Sequence, residues 1–303
     1  MEEPKINPYV ALGIGVASVS TSAILVKVSS ADAGVIAFYR LFITVLLMLP
    51  LFLAKHLKEL KIITRREWLF SIIAGIFLAF HFILWFESLN YTSVASSTVL
   101  VTLQPLFAFL GTFLFFKERL SIKAILCGVM AILGSVIISW GDFHISGKAL
   151  FGDLLALAAC ALVTAYLLFG QHVRKRLSLM TYTFVVYFIC SVVLFFYVLA
   201  SGEKFGPYPA EDWIYFSLLA IIPNLLGHSL FNWSLKWVST STISMAILFE
   251  PVGASMLAYF LLGEKLHIWQ AAGGLIVILG ISIFLINERK EKMKLLKNNA
   301  ESV

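Results

Sequence analysis

The sequence predicts an all-α polytopic membrane protein, with ten transmembrane helices arranged as two inverted five-helix repeats. Three observations carry that reading. Hydrophobic residues make up 60% of the chain and charged residues only 13%, about half the charged share of an average soluble domain. Ten apolar runs approach the ~20 residues that a helix needs to cross a bilayer. Residues 88–134 recur without a gap at 234–280, 146 positions further on. Mean hydropathy is +0.93, so much of the surface must face lipid, and alternating ten-residue strand patterns are absent, which argues against a membrane barrel.

Span 1 (8–28) carries Gly13, Gly15, Ser18, Ser20 and Ser22, a small and weakly polar face suited to a moving or cavity-lining helix. It follows MEEPKINP and runs straight into another full span, so it does not read as a cleaved signal peptide. Span 2 (34–54) holds Arg40 near its start, and span 3 (68–89) sets His81, Trp85 and Ser88 at helical spacing. Spans 4 (94–116) and 9 (241–262) carry Gln104-Pro105 and Glu250-Pro251. Each proline lacks an N–H and clashes with the carbonyl four residues back, so Pro105 and Pro251 are expected to kink their helices. Spans 5 (121–140) and 10 (267–287) carry Gly128, Gly134, Gly274 and Gly280, which let backbones approach closely. Spans 6 (149–170) and 7 (181–200) hold Asp153 as their one acidic or basic residue, and span 8 (212–235) sets Asn224, His228, Ser229 and Asn232 on one stripe.

Basic residues orient the spans. With the N-terminus in the cytoplasm, 18 of the 23 Lys and Arg fall in inner segments and four in outer ones, leaving Arg40 inside span 2. The positive-inside rule then predicts both termini in the cytoplasm, with residues 288–303 as a basic tail. A bacterial inner (plasma) membrane is the expected location. The net charge of +6 reflects these loops and does not point to nucleic acid. Cys127, Cys160 and Cys190 all lie within spans and show no CxxC spacing, so neither a disulfide framework nor a metal site is expected.

The repeat keeps Ser88 with Ser234, Pro105 with Pro251, Glu118 with Glu264, Gly128 with Gly274 and Gly134 with Gly280, while Gln104 pairs with Glu250. It divides the chain into units 8–140 and 149–287 of five spans each. An odd number of spans forces the second unit into the membrane upside down. The charges agree, since Lys117, Arg119 and Lys123 lie in an inner loop whose twin is an outer one. Inverted repeats are the architecture of alternating-access carriers, with substrate bound near the midplane between halves.

The stretches SLNYTSVASSTVLVTLQP with KERLS, and SLKWVSTSTISMAILFEPVGASMLAYFLLGEKL, resemble the drug/metabolite transporter superfamily, in particular its ten-helix EamA-type branch. Arg40 in AFYRLF fits the same pattern, and the similarity runs over about 8–287. The resemblance implies a central cavity lined by spans 1, 3, 4, 6, 8 and 9, with spans 5 and 10 as a peripheral scaffold. It implies nothing firm about substrate, since members export amino acids, purines, nucleotide sugars or toxic cations.

Ionisable and polar residues within the spans are the default functional candidates. The substrate-cavity candidates are His81, Trp85, Ser88, Gln104, Asn224, His228, Asn232 and Glu250. Glu250 lies about nine residues into span 9, ~13 Å deep. It reads either as a proton-coupling or substrate-amine site, or as a neutral hydrogen-bonding residue serving the carbonyl of Ile247. Arg40 reads as a partner of Asp32 or another carboxylate, as a snorkelling side chain, or as a ligand for a substrate carboxylate. Glu118 and Glu264 read as caps of the following helices or as a symmetric pair of gates.

No HExxH, G-x-S-x-G, Walker A or Cys/His cluster is present, so no catalytic residue, cofactor or metal is expected. The expected function is secondary transport of a small metabolite, amino acids or related amphipathic solutes being candidates, most simply as an exporter. The expected partners are the solute, the lipid bilayer and protons as coupling ion, with a monomer the simplest assembly. An uptake carrier of the same fold and a non-transporting membrane sensor are the alternatives.

Overall fold

Short connections join ten apolar helical stretches in the computed structural model. It describes residue 4 and residues 6–117, 121–138, 147–257, 259–260 and 268–301, with the backbone alone at 289 and from 291 onward. Nine stretches are 18–27 residues long and apolar enough to span a membrane, and Ile122–Ile138 is a shorter tenth. No strand forms among the described residues. The chain is therefore a multi-pass membrane protein.

Hydroxyl caps start many of these helices. Thr64 forms a reciprocal capping box with Glu67 at the head of span 3. Ser93 accepts from Ser96 N–H at the start of span 4, and Ser239 accepts from Thr242 N–H at the start of span 9. These two caps are 146 positions apart, so the repeat preserves the local signal that begins each helix. Lys117 ends span 4 in the left-handed region, with φ of 58°. Side chains such as Leu110, Phe115, Phe196 and Leu275 stay exposed, which in this composition is the face that meets lipid.

Four of the spans are interrupted. Span 1 divides at Ser20–Thr21 into α1 (Pro8–Val19) and α2 (Ser22–Val28). After α3 (Ala33–Lys55) and α4 (Arg65–Ser88), span 4 divides at Thr102–Leu103 into α5 (Val94–Val101) and α6 (Gln104–Phe116). Beyond α7 (Ile122–Ile138), α8 (Gly147–Val173) and α9 (Leu179–Ser201), span 8 begins as α10 (Ala210–Leu219) and widens into π turns over Ala220–His228 before α11 (Ser229–Ser234). Pro223 lies inside the widened stretch, and Ser229 N–H reaches back five residues to the Asn224 carbonyl. Span 9 divides at Leu248–Phe249 into α12 (Thr240–Ile247) and α13 (Glu250–Leu257).

The two prolines act differently from a kink within one helix. Pro105 and Pro251 occupy the first turn of α6 and α13, where a missing N–H costs nothing. The interruption lies just ahead of them, and Gln104 and Glu250 become the first residues of new helical segments.

The last helix, α14 (Ile268–Glu301), packs along α7. A Cβ on Gly134 would lie 2.8 Å from the Gly273 carbonyl oxygen and 2.8 Å from Val277 N, so the two backbones touch. Neither helix contributes a residue to the central cavity.

Candidate functional site

The interrupted helices meet around one small central cavity. Ser22 reaches it from span 1, Arg40 from span 2, and His81 and Trp85 from span 3. Gln104, His228 and Glu250 come from spans 4, 8 and 9, and Val163 and Leu167 from span 6. Span 2 is thus part of the wall, which corrects the lining set that omitted it. The enclosed space is about 20 Å³, enough for a single water and far below the ~300–1,000 Å³ of an occupied ligand pocket. The site is closed.

Arg40 is fully buried, so it neither snorkels nor reaches the surface. Its Nε donates to Asn224 Oδ1 at 2.7 Å and its Nη1 to Ser22 Oγ at 2.7 Å. The guanidinium carbon sits 4.3 Å from the centre of the Phe82 ring. Asn224 in turn donates to Thr44 Oγ1, which donates to the Arg40 carbonyl. This fork is locked on one side and open on the other: Nη2 has no hydrogen-bond partner among the described residues. Trp85 Nε1, Gln104 Oε1 and His228 Nδ1, all on side chains of the same cavity wall, are also unpartnered. Buried polar atoms are normally satisfied, and four unpartnered ones border this one space.

Glu250 faces Arg40 across this space. No ion pair within 4.0 Å joins them among the described residues, yet each acts on the other's charge. The Glu250 carboxyl makes no hydrogen bond among the described residues, so the Ile247 carbonyl is not its partner here. Its place at the head of α13 sets it where helix N–H groups favour negative charge. Three other candidates stand behind the wall. Ser88 donates to the Trp85 carbonyl and pairs with Ser97, tying span 3 to span 4. Asn224 holds Arg40, and Asn232 bonds Tyr166 and the His228 carbonyl. His81 Nδ1 is 3.0 Å from the Ala159 carbonyl, and the ring stacks on Trp85 at 5.8 Å. Glu118 and Glu264 lie outside the described residues.

Sequence reasoning missed the latches at the two ends of the bundle. At the basic end, Glu67 pairs with Arg176 and also accepts from Thr64. Glu59 accepts from Ser178 N–H at 2.7 Å and from the Thr181 hydroxyl, reaching the first turn of α9. At the opposite end, Asp212 accepts from the Ser29 and Ser30 hydroxyls and from Ser30 N–H. Glu203 accepts from Val35 N–H at 3.1 Å, at the first turn of α3. Residues 30 and 176, and residues 35 and 181, are each 146 positions apart. Apart from the Thr64–Glu67 capping box, every one of these contacts joins one repeat to the other. These donors keep the same 146-residue offset but lie outside the 88–134 and 234–280 stretches in which the repeat was read.

Comparison with known proteins follows the same division. A model of the EamA-like transporter family matches residues 8–140 and again 150–286. An uncharacterized transporter, YxxF, of Bacillus subtilis is 24% identical over 75% of this chain and 72% of its own length. A protein of Fusobacterium nucleatum named riboflavin transporter ImpX is 24% identical over 63% of this chain and 66% of its own. A WAT1-related protein of Arabidopsis thaliana is 23% identical over 72% of this chain and 69% of its own. A solved structure superposes with a TM-score of 0.75 at 17% identity, covering 93% of this chain and 98% of the other, which speaks for the fold alone.

Proposed function

The chain belongs to the EamA-like transporter family, within the drug/metabolite transporter superfamily, and from that premise we propose that it is a secondary exporter of small zwitterionic metabolites, amino acids foremost. It works by alternating access between two inverted repeats, catalyses no reaction and needs no cofactor. The observation that carries this is the pairing of opposite charges across one closed cavity. Arg40 Nη2 and Trp85 Nε1 supply unpartnered donors suited to a carboxylate. Glu250 and the unpartnered Gln104 Oε1 supply acceptors suited to an ammonium group. Latches at both ends support the same reading, because a carrier that opens one end at a time needs a closure at each.

Glu250 is the proton-coupling residue in this proposal, releasing or taking up a proton as the ammonium group arrives or leaves. The protein acts as a monomer in the inner membrane of a bacterium, with both termini in the cytoplasm. The test is counterflow of labelled amino acids into proteoliposomes that contain this chain alone. Accumulation of at least one amino acid, with net flux towards the face bearing Asp212, is expected. Absence of flux across a panel of amino acids and other small metabolites overturns the proposal.

A further inference from the structure

A second and much larger hollow lies away from the central site, between α4, α6 and α8 near the basic end of the bundle. It measures about 450 Å³ and is walled by Phe70, Phe77, Phe115, Phe116 and Phe169, with Ala165 and Leu168 at its floor. The rings support one another: Phe169 lies 5.1 Å from Phe70 and 5.9 Å from Phe77. Phe115 is exposed and Phe70 and Phe77 are half-buried, so the hollow opens on the face that meets lipid. Its lining is far too apolar to hold a small polar solute and too large to stay empty in a bilayer.

One mouth of this groove is cationic. Arg66 and His172 line it, with the Arg66 guanidinium 5.1 Å from the centre of the Phe70 ring. Lys175 Nζ stands 5.3 Å from the Phe116 ring centre. Arg66 and Lys175 both act electrostatically on His172, which sets the three within one field. Among the described residues neither Arg66 nor Lys175 has a carboxylate within 4.0 Å. The nearest acid in sequence, Glu67, is already committed to Arg176 and Thr64. Arg66 opens α4, and His172 and Lys175 lie at or just past the end of α8. They therefore sit where a helix leaves the hydrocarbon, at headgroup depth.

We infer that this groove is a binding site for one anionic phospholipid of the leaflet at the basic end. Its acyl chain lies among the five phenylalanines and its phosphate and headgroup rest between Arg66 and Lys175. Charge complementarity selects the anionic headgroup, since among the described residues Arg66 and Lys175 have no carboxylate within 4.0 Å and the acid that His172 feels, Glu67, is paired with Arg176. The groove borders Phe116 and Lys117 at the end of α6 and the α8 terminus that carries the Arg176 latch, so a bound lipid holds the cytoplasmic closure from the side.

The test uses the full chain, stripped of lipid in detergent and titrated with phosphatidylglycerol or phosphatidylcholine of matched acyl chains, bound lipid being read by native mass spectrometry. Phosphatidylglycerol is retained about tenfold or more over phosphatidylcholine. The exposed pair Arg66→Gln/Lys175→Gln removes that preference. The pair Lys58→Gln/Lys61→Gln removes as much charge from the same end of the bundle and leaves the preference intact. Ala165→Phe fills the floor and lowers retention of both lipids. Equal retention of the two lipids by the unaltered protein, or equal loss in both charge pairs, overturns the inference.

Discussion

Glu59 and Glu203 stand in corresponding loops of the two repeats, and each reaches across to the first turn of a helix in the other repeat. Their surroundings differ in the side chains that donate to them, since Ser178 and Thr181 correspond to Asp32 and Val35. The helix that Glu59 meets begins with Ser178, a donor, whereas the helix that Glu203 meets begins with Asp32, an acid. Burial pushes the Glu59 carboxyl up, but hydrogen bonds from Ser178, Thr181 and His56 outweigh it and leave the group below its ordinary value. Burial raises Glu203 as well, and Asp32 raises it further.

The two carboxylates therefore respond to pH with opposite sign. Glu59 is lowered on folding, so its contribution to stability is complete above the ordinary value of 4.5 and is lost as pH falls through the lower folded value. Glu203 is raised on folding, so stability declines as pH climbs from 4.5 through the higher folded value. Thermal melts in detergent check this. Glu59→Gln lowers the melting temperature at pH 7, with the gap closing in acid. Glu203→Gln raises it or leaves it unchanged at pH 7, and any gain vanishes below pH 4.5.

Arg40 holds the central wall together. Arg40→Gln strands Asn224 Oδ1 and Ser22 Oγ in a buried site, a cost of about 1–3 kcal/mol. Arg40→Lys keeps the charge but not the fork. A lower melting temperature for the glutamine variant is expected, with flux lost in both. Full flux in the lysine variant would mean that charge alone suffices.

Glu250 is tested by Glu250→Gln, which keeps the shape and removes the titratable group. Counterflow persists at reduced affinity, while the response to an imposed pH gradient disappears. A variant that folds and keeps the unaltered protein's proton dependence assigns Glu250 a purely structural role.

The end latches predict directional accessibility. A cysteine placed at Val101, on the cavity wall, is shielded in the closed structure, as the native cysteines are. Glu67→Gln increases its labelling by a water-soluble maleimide several-fold from the basic side only. Asp212→Asn does so from the opposite side only. Labelling from both sides in either variant would show that the latches are not gates.

The α7–α14 seam is tested by two glycines. Gly134→Val drives side-chain atoms into the backbone at Gly273 and Val277 and destabilises by about 1–3 kcal/mol. Gly274→Ala meets only Val252 methyls at 3.5 and 3.6 Å, an ordinary contact, and melts like the unaltered chain.

The ten spans were legible because length and hydropathy decide them, whereas the caps Ser93, Ser178 and Ser239 that begin three of them were not singled out. Stripes of polar residues led to His81, Trp85 and His228, whose side chains line the cavity. The stripe could not tell the wall from its support, so Ser88, Asn224 and Asn232 were grouped with residues they only brace. Arg40 was left between an ion pair, snorkelling and a substrate carboxylate, because only its depth along its own helix could be counted. Its burial depends on how Phe82 and Asn224 from other spans close over it. The prolines marked the level of the interruption but not its form, since a break one turn earlier leaves no residue signature of its own.

Interruptions at Ser20–Thr21, Thr102–Leu103, Ala220–His228 and Leu248–Phe249 all border the cavity. Mechanically the bundle is a set of unbroken rods, such as α3, α4, α8 and α9, beside four spans jointed at one level. Bending is cheap in that thin slab and costly elsewhere. The slab therefore constrains the sequence residue by residue, while the long apolar flanks tolerate almost any exchange of one greasy side chain for another. A family built this way can drift far in sequence and still close the same joint.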